Sequence, residues 1–144
     1  MNQSDSLPRS DAAVSMTTAP KHPEPYLSIP AQVLVQDNCR VHCGMVRKEN
    51  KLKKWQDRYL VLHKGCLYYY KDSTNKKAQG QFSLSGYRLS TAPEKMKFDW
   101  TFKLTHIQPE KRAYFFAAHS EKELNVSTHQ LIEVLSIEGF TQWG

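Results

Sequence analysis

The sequence lacks any long apolar run and contains few cysteines. No stretch of ~18 apolar residues occurs, so a transmembrane helix is not expected. The segment from Met1 to Pro20 lacks the basic-then-apolar pattern of a secretory signal, so we expect no cleaved leader. The three cysteines, Cys39, Cys43 and Cys66, are irregularly spaced. They predict free thiols in a reducing compartment rather than a disulfide framework.

Motifs for catalysis and metal binding are also absent from the sequence. There is no phosphate-binding glycine loop, nucleophile elbow or paired-carboxylate motif, and the histidines are scattered. Cys39, His42 and Cys43 lack the fourth ligand and the usual spacing of a zinc site. We therefore expect neither an enzyme nor a metal site, and no cofactor.

Positive charge is concentrated in the middle of the chain. Residues 41–119 carry sixteen Lys and Arg against six Asp and Glu, a net charge of +10, whereas the whole chain carries +6. A field of this sign favours anionic partners such as phosphoinositides, acidic membrane surfaces or nucleic acids. The alternative interpretation is a surface charge that serves solubility alone.

Short β-forming segments separated by polar turns begin at Val41. Seven segments at spacings of about 8–12 residues predict a sandwich or barrel. They lie at residues 41–48, 55–63, 66–70, 79–84, 87–89, 100–107 and 112–117.

The chain on either side of these strands has a different character. Residues 1–38 are rich in Ser, Thr, Pro and Ala and are predicted to be disordered, with a PxxP motif at 20–23 that suits an SH3 domain. After the strands, Ser120 and Glu123 form a capping box that predicts a helix. Its apolar stripe would comprise Leu124, Leu131 and Leu135. The predicted domain spans residues 39–136, and a tail follows at 137–144.

Four short sequences carry a family resemblance: GMVRK at 44–48, WQDRYLVL at 55–62, LYYYK at 67–71 and QGQFSLSGY at 79–87. With the order of seven strands and one helix, they resemble pleckstrin homology (PH) domains of signalling adaptors. The resemblance implies a mainly β fold, a seven-stranded barrel or sandwich closed by one C-terminal α-helix.

The closing helix is expected to be incomplete. The helix of PH domains carries a tryptophan at the position that Ser127 occupies here. Residues 125–128 are also poor helix formers, so the sequence predicts a variant C-terminus from Asn125 onward.

The resemblance implies a phosphoinositide site at the open end of the barrel, between the first inter-strand loops. Lys48 matches the basic residue that ends the first strand, and Arg58 matches the arginine of the second. Tyr69 matches a tyrosine of the third strand whose hydroxyl can donate a hydrogen bond to a phosphate. Lysines of the two neighbouring loops would add charge. The predicted site residues are Lys48, Lys51, Lys53, Lys54, Arg58, Tyr69, Lys76 and Lys77.

The expected function is phosphoinositide or acidic-membrane binding by a signalling adaptor, monomeric and cytoplasmic, recruited peripherally to the plasma membrane. Gln56 and Gln79 stand where strong lipid-binding relatives carry basic residues. They favour the alternative of a protein-binding PH domain with signalling-protein partners and weak or no lipid binding. A nucleic-acid-binding barrel is a third interpretation, but Tyr68, Tyr69 and Tyr70 cannot all face one surface of a strand, so no nucleic-acid partner is expected.

Overall fold

Seven strands and two helices follow one another in the computed structural model, which describes residues 23–37 and 40–137. The first helix precedes the sheet, and the second follows it. The elements are α1 (Ala31–Gln36), β1 (Arg40–Glu49), β2 (Trp55–His63), β3 (Cys66–Tyr70), β4 (Gly80–Ser83), β5 (Tyr87–Thr91), β6 (Thr101–His106), β7 (Tyr114–Ala117) and α2 (Glu121–Ile137).

The strands form one antiparallel sheet in the order β4-β3-β2-β1-β7-β6-β5. Strand β1 lies at its centre and pairs with both β2 and β7. The prediction of seven strands and a closing helix is confirmed. The sheet is not closed, because β4 and β5 form its two edges and are not hydrogen-bonded to each other.

Alternation along the strands separates two faces of the sheet. In β3, Tyr69 belongs to the inner core with Leu67, whereas Tyr68 and Tyr70 belong to a second apolar cluster on the outer face. Successive side chains of a strand point to opposite faces, which explains why three consecutive tyrosines serve two cores. Burial raises the pKa of both Tyr68 and Tyr70.

Helix α2 continues through Asn125 to Ile137, so the expectation of an incomplete closing helix is wrong. Its start agrees with the predicted cap, since the Glu123 N–H donates to Ser120 Oγ at 3.1 Å. Leu131 and Leu135 are buried in the inner core, and Leu124 packs against it. This apolar stripe stabilises the helix despite the poor helix formers between its members. No helix in the described part of the chain is long and apolar enough to cross a membrane.

Residues 26–37, here called the N-terminal strap, differ from the predicted disordered segment. Ile29, Ala31 and Leu34 are buried in the outer apolar cluster. The expectation of disorder followed from a Pro-rich composition without helical periodicity. The three apolar side chains, Ile29 just before the short helix and Ala31 and Leu34 within it, nevertheless pack on the outer face. Residues 1–22, with most of the PxxP motif, residues 38–39 and the tail after Ile137 lie outside the described residues.

Candidate functional site

Lys48, Arg58 and Tyr69 share the inner face at the open end of the sheet. Lys48 is paired with Gln56 and Val46 with Arg58, so the side chains of both pairs point to one face. Tyr69 joins this face through its pairing with Leu60. The hairpin register thus brings three of the predicted site residues to one mouth.

Lys48 is a buried cation held over aromatic rings. Its side chain is only 5% exposed, and its Nζ lies 4.2 Å from the centre of the Tyr69 ring and 5.6 Å from that of Tyr114. The same Nζ donates to the Glu49 carbonyl at 3.4 Å. The negative faces of aromatic rings attract a cation, but this attraction compensates only in part for the hydration that the buried ammonium loses.

The surroundings of Lys48 disfavour the charged form of its side chain. Burial, followed by the positive charges of Arg112 and Arg58, lowers the pKa of Lys48 to about 8, while Glu49 raises it and Lys51 lowers it. A cation that is crowded by other cations and short of water gains from an anion placed beside it. The positive charges at the mouth therefore favour the binding of a negatively charged group.

Arg58 is positioned by its own strand. Its Nη1 donates to the Asp57 carbonyl at 2.7 Å, and its Nη2 donates to Gln56 Oε1 at 2.8 Å. Asn50 Nδ2 also donates to Gln56 Oε1, at 3.4 Å. Gln56 therefore orients Arg58 by accepting its hydrogen bond. A lysine or arginine at this position would instead add a positive charge to the site.

Tyr69 reaches the mouth because strand β4 begins with glycine. A Cβ built at Gly80 would overlap the hydroxyl and ring of Tyr69. Gly80 pairs with Tyr69 across the two strands, so the missing side chain leaves the space that the ring occupies. This places the face of the Tyr69 ring under Lys48.

The β1–β2 loop, residues 50–54, is a rigid and basic tip. Asn50 Oδ1 accepts from the N–H groups of Leu52 at 2.8 Å and Lys54 at 3.0 Å, and the Asn50 N–H donates to the Lys54 carbonyl at 2.8 Å. Lys51, Lys53 and Lys54 are exposed. Leu52, between them, is 77% exposed.

The β3–β4 loop, residues 71–79, carries the last two predicted site residues. Lys76 and Lys77 are exposed on it. Among the predicted lysines of the loops, Lys51 contributes a charge that lowers the pKa of Lys48. The structure thus brings together Lys48, Arg58, Tyr69 and Lys51, whereas Lys53, Lys54, Lys76 and Lys77 lie on exposed loop surfaces.

The model of the PH domain family matches residues 40–133, about two thirds of the chain. The chain belongs to the PH domain family. The matched range includes the whole β1–β2 hairpin and the lysines of its loop.

Two curated relatives show which PH domains this one resembles. It is 38% identical over 109 residues to SH3 domain-binding protein 2 of Homo sapiens, with 70% of this chain and 19% of that protein covered. It is 36% identical over 99 residues to Src kinase-associated phosphoprotein 2-A of Xenopus laevis, with 63% and 29% covered. The chain thus spans less than a third of either relative.

A solved structure supports the fold. The PH domain of human pleckstrin homology domain-containing protein family A member 5 matches with a TM-score of 0.60 at 24% identity. The match covers 76% of this chain and 85% of that one.

Arg112 is a component of the mouth that sequence reasoning missed. Its guanidinium carbon lies 4.7 Å from the centre of the Tyr114 ring, and its charge lowers the pKa of Lys48. Strand β7 pairs with β1 through Lys48 and Phe116, so residues just before β7 border the β1–β2 loop. The signal was a basic residue directly before the seventh strand, but its use requires knowledge of that pairing.

An open pocket of about 410 Å³ borders the β1–β2 loop and shares Lys51 and Arg112 with the surroundings of Lys48. Its lining includes neither Lys48 nor Arg58. Glu49 contributes a carboxylate to it and pairs with Lys95 at 2.9 Å, whereas Lys51, Lys53 and Arg112 contribute positive charge. The lining residues are Glu49, Asn50, Lys51, Lys53, Arg112, Ala113 and Phe115.

Proposed function

We propose that this PH domain binds phosphoinositide headgroups and acidic membrane surfaces, and that it serves a signalling adaptor. The observation that carries the proposal is the buried Lys48, which has a lowered pKa and shares its surroundings with Arg58 and Arg112. A phosphate group placed there would accept charge-assisted hydrogen bonds and relieve repulsion among the three cations.

The shape of the β1–β2 loop supports docking on a membrane. Leu52 projects at the loop tip with 77% of its side chain exposed, between Lys51 and Lys53. Basic residues near an acidic leaflet contribute about 1 kcal/mol each, and an apolar side chain at the same depth would enter the acyl boundary. In the proposed docking, the loop tip would enter the leaflet while the mouth binds the headgroup.

Co-sedimentation with vesicles tests the proposal. The purified chain is mixed with phosphatidylcholine vesicles at physiological salt, with and without a polyphosphoinositide. We expect pelleting only with the phosphoinositide, and its loss in the Lys48→Ala and Arg58→Ala variants. The matched control is Arg88→Ala, which removes an exposed arginine of β5. Equal pelleting of the wild type and of a Lys48→Ala/Arg58→Ala double variant would overturn the proposed site.

Gln56 favours a second function, a PH domain that docks signalling proteins and binds lipid weakly or not at all. It stands at a basic position of the family pattern and is engaged by Arg58 and Asn50. Complexes that survive high salt would support this function, because exposed charge pairing is screened there. In either case we propose a cytoplasmic monomer that binds its ligand and catalyses no reaction.

A further inference from the structure

The N-terminal strap contacts the β3–β4 loop as well as the sheet. The Ala31 N–H donates to the Asn75 carbonyl at 3.0 Å, and Gln32 Nε2 donates to the Ser73 carbonyl at 2.8 Å. Both acceptors belong to the main chain of the loop. The strap therefore fixes the path of the loop backbone rather than the orientation of one side chain.

Asn75 is also the centre of the hydrogen bonds within the loop. Its Oδ1 accepts from the Asp72 N–H at 2.7 Å, and Asp72 Oδ1 accepts from the Thr74 N–H at 2.9 Å. Lys76 and Lys77 follow Asn75 directly. A displacement of Asn75 would consequently move both lysines.

The strap itself is anchored to the sheet by stronger contacts than those to the loop. Ile29 and Leu34 are buried in the outer apolar cluster. Tyr70 donates its hydroxyl proton to the Ile29 carbonyl at 2.7 Å, and His63 Nε2 lies 2.5 Å from Asp37 Oδ2. Because buried apolar contacts outweigh two hydrogen bonds near the surface, the strap is held mainly by the sheet, and its two hydrogen bonds to Ser73 and Asn75 restrain the loop.

We propose that the N-terminal strap holds the β3–β4 loop in the position from which Lys76 and Lys77 reach an anionic headgroup bound at the mouth, with Ala31 and Gln32 as positioning residues. This inference rests on the proposed function, because it assigns the β3–β4 lysines to an anionic headgroup. The strap is then a working part of the binding site, although it lies on the opposite face of the sheet from Lys48.

The test uses the full chain with the double substitution Ala31→Pro and Gln32→Ala. Ala31 is the first residue of α1, where proline is compatible with the helix and removes the N–H donor. Because Ala31 is fully buried, Gln32→Ala alone is the second variant, since it removes one of the two hydrogen bonds without adding volume to the outer apolar cluster. Gln36→Ala, at another exposed glutamine of the same helix, is the matched control. Wild type and Lys76→Ala/Lys77→Ala complete the set.

Two readouts are needed, one without a ligand. Amide hydrogen exchange of residues 72–78 should accelerate in the strap variant and remain unchanged in the control. The affinity of the strap variant, Ala31→Pro/Gln32→Ala, for inositol hexakisphosphate should fall about five- to tenfold. The Lys76→Ala/Lys77→Ala variant should show a loss of the same size. The strap and lysine changes combined should cost no more than the lysine changes alone.

The outcomes separate this inference from the proposed function. Unchanged exchange of the loop in the strap variant would overturn the inference whatever the ligand does. Unchanged affinity of the strap variant, with weaker binding by Lys76→Ala/Lys77→Ala, would overturn it as well. Failure of the wild type to bind inositol hexakisphosphate or phosphoinositide vesicles would overturn the proposed function, and the inference with it.

Discussion

Lys48 combines burial, contact with aromatic rings and repulsion by neighbouring cations. It is buried, lies over two tyrosine rings and is repelled by Arg112 and Arg58, with its pKa lowered to about 8. A group arranged in this way costs stability in the free protein and offers binding free energy to an anion. Two predictions follow from this conflict, one on folding and one on binding.

Lys48→Met should stabilise the free protein at pH 7 by about 1–2 kcal/mol, because it removes a charge that the folded state disfavours. The pKa falls from 10.5 in the unfolded chain to about 8 in the folded one, so the charged lysine exerts its full penalty below pH 8. The wild type should regain stability between pH 8 and 10.5, where the folded lysine loses its proton first. Urea denaturation measures the difference. The control is Lys122→Met on the exposed face of α2, and a destabilised Lys48→Met would contradict the account.

Headgroup binding should weaken as the pH rises from 7 to 9.5. A bound phosphate favours the protonated form of Lys48, so above pH 8 binding requires the uptake of a proton. Calorimetric titration with inositol hexakisphosphate at pH 8.5, in two buffers that differ in ionisation enthalpy, measures that uptake directly. The account would be contradicted by equal heats in the two buffers together with an affinity that does not change with pH.

At the scale of elements, the β1–β2 hairpin and helix α2 have separate tasks. The hairpin carries Lys48, Arg58 and the exposed Leu52 to the open end of the sheet. Helix α2 adds Leu131 and Leu135 to the inner core. Substitutions at these three hairpin positions should therefore change membrane binding, whereas substitutions at the two helix positions should change stability without a direct effect on the ligand.

Leu52→Ser should weaken vesicle binding roughly tenfold without changing the affinity for soluble inositol hexakisphosphate. Burying a leucine side chain contributes about 1.5–3 kcal/mol, and the soluble headgroup offers no apolar phase for it to enter. Vesicle co-sedimentation and calorimetry measure the two affinities. Val126→Ser, at an exposed position of α2, should affect neither. An equal loss in both assays would show that Leu52 shapes the headgroup site instead.

Leu135→Ala should destabilise the domain by about 2–5 kcal/mol, because Leu135 is fully buried. Asn125→Ala, at an exposed helical position, should be neutral or slightly stabilising, since alanine is the better helix former. Thermal or urea unfolding measures both changes. A neutral Leu135→Ala would mean that the helix ends before this residue in solution.

At the scale of the whole molecule, the local pattern predicted most of the sheet, and the register of one hairpin predicted the centre of the site. Lys48 and Arg58 belong to neighbouring strands, so their meeting follows from sequence. Arg112 does not, because it joins them through the pairing of β7 with β1 across a long stretch of chain. The strap was missed for the same reason, since Leu34 becomes a core residue only when the outer face of β3 is known.

The central claim is that an anionic headgroup binds at the mouth between Lys48, Arg58 and Arg112. The most direct measurement is a nuclear magnetic resonance titration of the full chain with inositol hexakisphosphate, following side-chain and backbone signals. The account predicts saturable shifts of Lys48, Arg58 and Arg112 side-chain signals. Saturable shifts confined to Ala113 and Phe115, in the pocket that borders the loop, or no shifts at all, would contradict it.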